Sequence, residues 1–184
     1  MEGVKLTEYQ NKIRNLIILS VLLAAGVALN LIEPPFLYFI APGVKIGVAN
    51  IATLFSLYYF GPPSSLLLGF LRPIVASLIK GNFLTLEFIL SFVGSIFSSI
   101  FMIIFYKIGK NKISTIGVSI IGGIMNNFAQ FIVVYIITNN VYLFLYLPIL
   151  IVSGGLAGFA IGFVTNLLLK RIKEYENEKR KSPW

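Results

Sequence analysis

Six stretches of mainly apolar residues run through the chain, separated by short segments that contain charges, prolines, glycines or asparagines. A transmembrane helix needs about 20 apolar residues, and most of these stretches approach or exceed that length. Turns such as Gly61-Pro62-Pro63 separate them, because proline cannot continue a helix. The pattern predicts six transmembrane helices, at residues 16–32, 45–60, 64–79, 83–106, 113–138 and 141–169.

The overall composition supports this interpretation. Hydrophobic residues make up 57% of the 184 residues and charged residues only 12%, whereas soluble domains average about 25% charged residues. We therefore expect an all-α integral membrane protein, folded as a six-transmembrane-helix bundle. Residues 1–184 form a single membrane domain in this prediction, with 1–15 and 170–184 as polar tails.

The net charge of +8 is concentrated in the two tails and in the segment 107–112. This distribution is the positive-inside pattern of membrane proteins and is unlike a nucleic-acid-binding surface. It places both termini and the 107–112 loop in the cytoplasm, and the protein in the cytoplasmic membrane as a multi-pass protein. The lipid bilayer is thus an expected partner, and nucleic acid is not.

Several kinds of chemistry are excluded by residues that the chain lacks. It has no cysteine and no histidine, and its seven acidic residues are all glutamates. Thiolate and imidazole chemistry, the usual zinc ligands and aspartate-based two-metal sites are therefore ruled out. No Gly-x-x-x-x-Gly-Lys-[Ser/Thr] loop is present to bind ATP. We expect neither an enzyme, nor a metal site, nor a cofactor; any ATP hydrolysis would belong to partner subunits.

The segment 41–53 interrupts this apolar pattern with Pro42-Gly43, Lys45 and Asn50. A helix break within a membrane persists only where protein covers it or where it lines a cavity. A charge beside such a break is costly and is therefore usually functional. The segment predicts the wall of a substrate-binding site, with Lys45 and Asn50 as candidate substrate-binding residues. The alternative for Asn50 is that it caps the backbone freed by the break. Its bulky stripe, which includes Ile51 and Phe55, is expected to face lipid.

Arg72 is the strongest single signal in the predicted third helix. An arginine at the centre of a membrane helix costs about 2.5–3.5 kcal/mol even on insertion scales. Two interpretations follow: an internal ion pair with Glu87, or a site for a carboxylate or phosphate. Lys45 and Lys80 instead have the option of extending to the outer surface.

Three amides, Asn126, Asn127 and Gln130, lie within five residues of the predicted fifth helix. Each of them alone could form an interhelical hydrogen bond. Together with Asn50 and Arg72 they favour a polar cavity, and we include all three among the predicted substrate-binding residues.

Small residues mark two further helices. Ala24 and Ala28 lie four apart in the first helix, a spacing that lets another helix approach closely. Either internal packing or docking of a partner explains them. Gly154, Gly158 and Gly162 repeat the same spacing in the sixth helix and predict a close helix–helix contact there.

Three motifs carry a resemblance to a known family. APGVKIGVANIAT at 41–53, FGP at 60–62 with LR at 71–72, and GGIMNNFAQ at 122–130 resemble the Gx transporter family. Its members are often labelled heptaprenyl diphosphate synthase component I. The chain departs from the family at Asn126-Asn127, where the family often has a histidine followed by an asparagine.

The resemblance also implies a function. The family is similar to the S-components of energy-coupling-factor transporters, which bind a substrate near the outer face and have six spans with cytoplasmic ends. It implies docking through Ala24 and Ala28 on a membrane coupling subunit driven by an ATPase pair. The expected role is uptake of a small anionic or amphipathic, vitamin-like nutrient. A non-catalytic membrane anchor in isoprenoid or quinone (heptaprenyl diphosphate) biosynthesis and a stand-alone carrier are the alternatives.

Overall fold

The computed structural model describes residues 2–32, 47–109 and 112–181. The described residues form helices and contain no strand. A 3₁₀-helix, Val141–Tyr146, precedes the last long helix. The α-helices are α1 (Glu2–Ile32), α2 (Asn50–Tyr59), α3 (Pro62–Lys80), α4 (Leu86–Gly109), α5 (Thr115–Thr138) and α6 (Leu147–Lys181).

Five segments of the described chain are long and apolar enough to cross a membrane. They are Tyr9–Ile32, Pro62–Lys80, Leu86–Gly109, Thr115–Thr138 and Val141–Tyr175. Large apolar side chains such as Val21 and Leu156 are exposed on their outer surfaces, as expected of helices that face lipid rather than water. The predicted class, an all-helical multi-pass membrane protein, is thereby confirmed.

The short helix α2 lies at the centre of the bundle. Its ten residues span about 15 Å at 1.5 Å per residue, less than a membrane requires. It packs against α1, α3, α4 and α6, and Leu54 and Leu57 are fully buried. The expectation that its bulky stripe faces lipid is wrong: Phe55 is buried, and Ile51 packs against the central core. Both its bulky residues and its small or polar residues, such as Thr53 and Ser56, are buried, because other helices surround it.

The break at Pro42-Gly43 and the candidate Lys45 lie outside the described residues. The description resumes at Gly47, whose φ of 68° is in the left-handed region that glycine adopts without steric cost. Its carbonyl accepts a hydrogen bond of 2.8 Å from the backbone N–H of Asn50. This turn brings the chain into α2 and sets the orientation of Asn50.

The close contact predicted for the glycines of the sixth helix is confirmed. A Cβ atom on Gly158 would lie 2.5 Å from the carbonyl oxygen of Ser119, and one on Gly154 would lie 2.6 Å from that of Gly123. The backbones of α5 and α6 therefore touch directly, which only small residues permit. Because α5 also packs along α4, this contact fixes the position of the face that carries Asn126 and Gln130.

Candidate functional site

Arg72 lies inside the bundle with only 4% of its surface exposed. Its Nη2 donates hydrogen bonds to Asn50 Oδ1 at 2.8 Å and to Ser95 Oγ at 2.9 Å. The Ser95 hydroxyl in turn donates to the carbonyl oxygen of Gly69 at 2.8 Å. One guanidinium group thereby connects α2, α3 and α4. The sequence prediction of an inward-facing Arg72 on α3 agrees with this geometry.

Two amides of α5, Asn126 and Gln130, lie beyond Asn50, the hydrogen-bond partner of Arg72. A Cβ atom on Gly47 would lie 3.1 Å from Asn50 Nδ2 and 3.8 Å from Asn126 Nδ2. A Cβ atom on Gly94 would lie 2.6 Å from Asn126 Oδ1 and 3.0 Å from Gln130 Nε2. The two glycines therefore leave the space in which these side chains meet. We call Asn50, Arg72, Ser95, Asn126 and Gln130 the polar cluster.

The polar cluster has a charged end and a neutral end. Arg72 and Asn50 form the first, and Asn126 with Gln130 forms the second. Four of its five members, Asn50, Arg72, Asn126 and Gln130, were predicted from the sequence as substrate-binding residues. Gly94 was missed, although a glycine in the middle of a helix is a signal of close approach by a neighbouring group.

Gln130 is the most deeply buried amide of the cluster, with 1% of its surface exposed. Among the described residues, neither its Nε2 nor its Oε1 has a hydrogen-bond partner. A buried polar group left without a partner costs about 1–3 kcal/mol. The neutral end of the cluster thus holds an amide whose donor and acceptor are both unused.

Asn127 faces away from the polar cluster, against α6. Its Nδ2 donates to the carbonyl oxygen of Leu150 at 3.0 Å and to Ser153 Oγ at 3.2 Å. It is linked to the cluster by a long hydrogen bond of 3.5 Å, which its Oδ1 accepts from Asn126 Nδ2. Of the three amides predicted to line one cavity, Asn127 therefore joins two helices, whereas the other two lie in the cluster.

Glu87 contacts a different cation from the one considered in the sequence. Its carboxylate lies 3.7 Å from Lys80 Nζ and accepts a hydrogen bond of 2.8 Å from Asn82 Nδ2. Lys80 Nζ also donates to the carbonyl oxygen of Asn30 at 3.0 Å. Through these contacts Lys80 joins the end of α1 to the α3–α4 turn. Its partly exposed side chain lies near the surface rather than in the cluster.

The two alanines of α1 lie on the outside of the protein. Ala24 and Ala28 are exposed, whereas Gly26 and Asn30 are buried. A Cβ atom on Gly26 would lie 3.0 Å from Ala52 Cβ and 3.2 Å from Arg72 Cδ. Internal packing of α1 therefore uses Gly26, whereas Ala24 and Ala28 lie on its exposed face.

Several buried hydroxyl groups outside the polar cluster also lack hydrogen-bond partners among the described residues. Within the described part of the chain, Thr53, Ser56, Ser65 and Ser98 are fully buried and their hydroxyls form no hydrogen bond. Thr165 is equally buried, but its hydroxyl donates to the carbonyl oxygen of Ile161 at 2.8 Å. The interior thus pairs some of its hydroxyls and leaves others unpaired.

We expect Thr53→Val to stabilise the protein, because valine keeps the shape of threonine and removes a buried hydroxyl that has no partner. The gain should be about 1 kcal/mol or more, near the cost of an unpaired polar group. Thr165→Val is the matched control and should be neutral or destabilising, since it deletes a made hydrogen bond. Thermal unfolding in detergent measures both; equal effects of the two substitutions would contradict the prediction.

The helices and the polar cluster together define a multi-pass membrane protein with a polar, partly charged interior. The chain matches the family model described as Heptaprenyl diphosphate synthase component I over residues 22–168, which is most of its length. It belongs to this family, and the resemblance inferred from the three motifs is confirmed. No curated protein and no solved structure matches the chain.

Proposed function

We propose that this protein is a substrate-binding membrane subunit of the S-component kind, which captures a small anionic or amphipathic nutrient for uptake through an energy-coupling-factor transporter. The observation that carries the proposal is Arg72, buried in the bundle and held by Asn50 and Ser95 beside two further amides. A charge inside a membrane protein is costly and typically marks a substrate pathway. Arginine also suits carboxylate and phosphate groups, because its planar fork donates two parallel hydrogen bonds.

The balance of charges supports an anionic substrate. Between the cytoplasmic segments the sequence has three cations, Lys45, Arg72 and Lys80, and two acids, Glu33 and Glu87. Glu87 lies against Lys80, and the three cations outnumber the two acids. One positive charge is in excess however Glu33 is arranged. A bound anion would neutralise it.

For topology, the proposal is six spans with both tails and the 107–112 loop in the cytoplasm. The second span would consist of α2 together with the residues that precede it. Single cysteines at Asn139 and Lys112 test this, since the chain has no native cysteine and both positions are exposed. We expect a membrane-impermeant maleimide to label intact cells at Asn139→Cys and not at Lys112→Cys. The reverse pattern would refute the topology.

The proposed partners are a membrane coupling subunit and its ATPase pair, docked on the Ala24 and Ala28 face of α1. Small exposed residues let a neighbouring helix approach closely, and these two are not used for internal packing. We expect the double substitution of Ala24 and Ala28 by leucine to abolish co-purification with the coexpressed coupling complex, with ligand binding unchanged. Ala160→Leu, at an exposed position of α6, is the control and should leave the complex intact.

Two results would count against this role. Native mass spectrometry of the protein from mild detergent should find a small anionic molecule bound, and its absence under all growth conditions would argue against substrate capture. Survival of the coupling complex in the double leucine variant would argue against docking through α1.

The second candidate is a non-catalytic membrane subunit or anchor in heptaprenyl diphosphate biosynthesis. The observation in its favour is the family description, whose words "component I" imply a partner subunit. This role predicts that a prenyl diphosphate synthase co-purifies with the chain and that its activity or membrane attachment depends on it. It assigns no purpose to the buried Arg72 and the amides beside it, which is why we favour substrate binding.

A further inference from the structure

The neutral end of the polar cluster restricts the chemistry of the ligand further than the charge of Arg72 does. Gln130 lies on the same face of α5 as Asn126, one helical turn further along. Its amide is adjacent to Gly94 of α4, which leaves room for the side chain by having no Cβ atom. Both polar atoms of this amide are buried, and within the described chain both lack hydrogen-bond partners.

An amide with an unused donor and an unused acceptor has a specific complement. The matching group presents an acceptor and a donor side by side in one plane, as the C=O and N–H of a lactam, imide or ureide do. Glutamine reads adenine in nucleic acids through the same kind of paired hydrogen bonds. An aliphatic or prenyl chain at this position would leave the amide unsatisfied, at a cost of about 1–3 kcal/mol.

We propose that the ligand is a small anion with a cyclic amide edge, meaning a ring that carries adjacent C=O and N–H groups. Its carboxylate or phosphate binds at Arg72 and Asn50, and its amide edge binds at Gln130. The inference rests on the proposed function, in that it takes the polar cluster to be the substrate site. It adds the chemical class of the ligand and assigns Gln130 as the residue that determines specificity.

The position of Asn126 is compatible with one ligand that contacts both ends of the polar cluster. Asn126 stands between the ends: its amide approaches Gly47 on the side of Asn50 and Gly94 on the side of Gln130. In this proposal, a ligand held at Arg72 extends along Asn126 to Gln130. Asn126 supplies a further amide along the way, so a ring with several polar atoms fits better than a simple carboxylate.

A matched pair of probes separates the two ends. Benzoate and orotate both carry a carboxylate on a six-membered ring, but orotate also has ring C=O and N–H groups. We expect the purified protein to bind orotate about 10- to 100-fold more tightly than benzoate, the gain of one or two good hydrogen bonds. In Gln130→Met, which keeps the length of the side chain and removes its polar atoms, orotate should fall to the affinity of benzoate. Isothermal titration in detergent or nanodiscs measures these affinities.

Stability without ligand provides the control for folding. Gln130→Met removes an amide that has no partner among the described residues, so its melting temperature should equal or exceed that of the wild type. A Gln130→Met protein that melts lower and still discriminates orotate from benzoate would show Gln130 to be structural and would overturn the inference.

The two proposals fail in different ways. Equal affinity of the wild type for both probes, including no binding of either, overturns the inference about the amide edge. So does a preference for orotate that survives in Gln130→Met. The proposed anion site is tested by Arg72→Gln, which should weaken both probes alike. If Arg72→Gln leaves the binding of both unchanged, the site itself is misassigned, whatever Gln130 does.

Discussion

Replacing Arg72 with glutamine is expected to weaken the binding of a carboxylate ligand by about 10- to 100-fold, the loss of a charge-assisted hydrogen bond. Arg72 is the positively charged member of the polar cluster, and hydrogen bonds to Asn50 and Ser95 hold its guanidinium in place. Glutamine can donate a hydrogen bond, but it lacks the positive charge that attracts an anion. The melting temperature without ligand should change little, because removal of a costly internal charge offsets the loss of the hydrogen bonds to Asn50 and Ser95.

Three further variants separate this effect from general damage. Arg72→Lys should restore binding only in part, because an ammonium group cannot reproduce the planar fork of arginine. Arg171→Gln, at an exposed position near the C-terminus, removes the same charge outside the bundle and should have no effect. If Arg72→Gln lowers the melting temperature and Glu87→Gln restores it, Arg72 serves an ion pair and the anion-binding role is wrong.

Adding one methyl group at Gly158 is expected to destabilise the fold by about 1–3 kcal/mol, the usual cost of overpacking. The new Cβ atom would lie 2.5 Å from the carbonyl oxygen of Ser119 and 2.7 Å from Ile120 Cα. Both are backbone atoms of α5, so no side-chain rotation relieves the clash. The two helices must separate, and the polar face of α5 then moves relative to α4.

Gly155→Ala is the control for this substitution. It lies on the same helix, but its nearest neighbours would be side-chain atoms of Ile124 at 3.9 Å, an ordinary contact distance. We expect Gly155→Ala to be neutral or slightly stabilising, because alanine has the better helix propensity. Thermal unfolding in detergent compares the two, and equal melting temperatures would mean that α5 and α6 tolerate separation.

The long helices were predictable because their ends carry strong local signals. The third predicted span, 64–79, corresponds to α3 (Pro62–Lys80), which begins at two prolines and ends at Gly81 with a left-handed φ of 70°. The fifth, 113–138, corresponds to α5 (Thr115–Thr138). The environment of α2 was not predictable, because a short helix with a bulky and a small face fits either a lipid-facing or a central position. Its surroundings are decided by the other helices.

The candidate site was predictable to the extent that helical spacing determines it. Asn126 and Gln130 lie four residues apart and share a face, whereas Asn127 is rotated by about 100° and meets α6 instead. The pairing of Glu87 with Lys80 rather than with Arg72 depends on how the α3–α4 turn folds, which periodicity does not specify. Gly94 had no role in the sequence interpretation, because its function is to leave space for side chains of another helix.

Within about one helical turn, α1 has an inner face at Gly26 and an exposed face at Ala24 and Ala28. On one side it lies against Ala52 and the aliphatic part of Arg72, and on the other side Ala24 and Ala28 are exposed. Binding equilibria at two such faces obey reciprocity: if an occupied Arg72 changes the affinity of α1 for a protein outside, that protein changes the affinity for the ligand by the same factor. Measuring ligand affinity with and without the proposed coupling complex therefore tests the coupling in both directions at once.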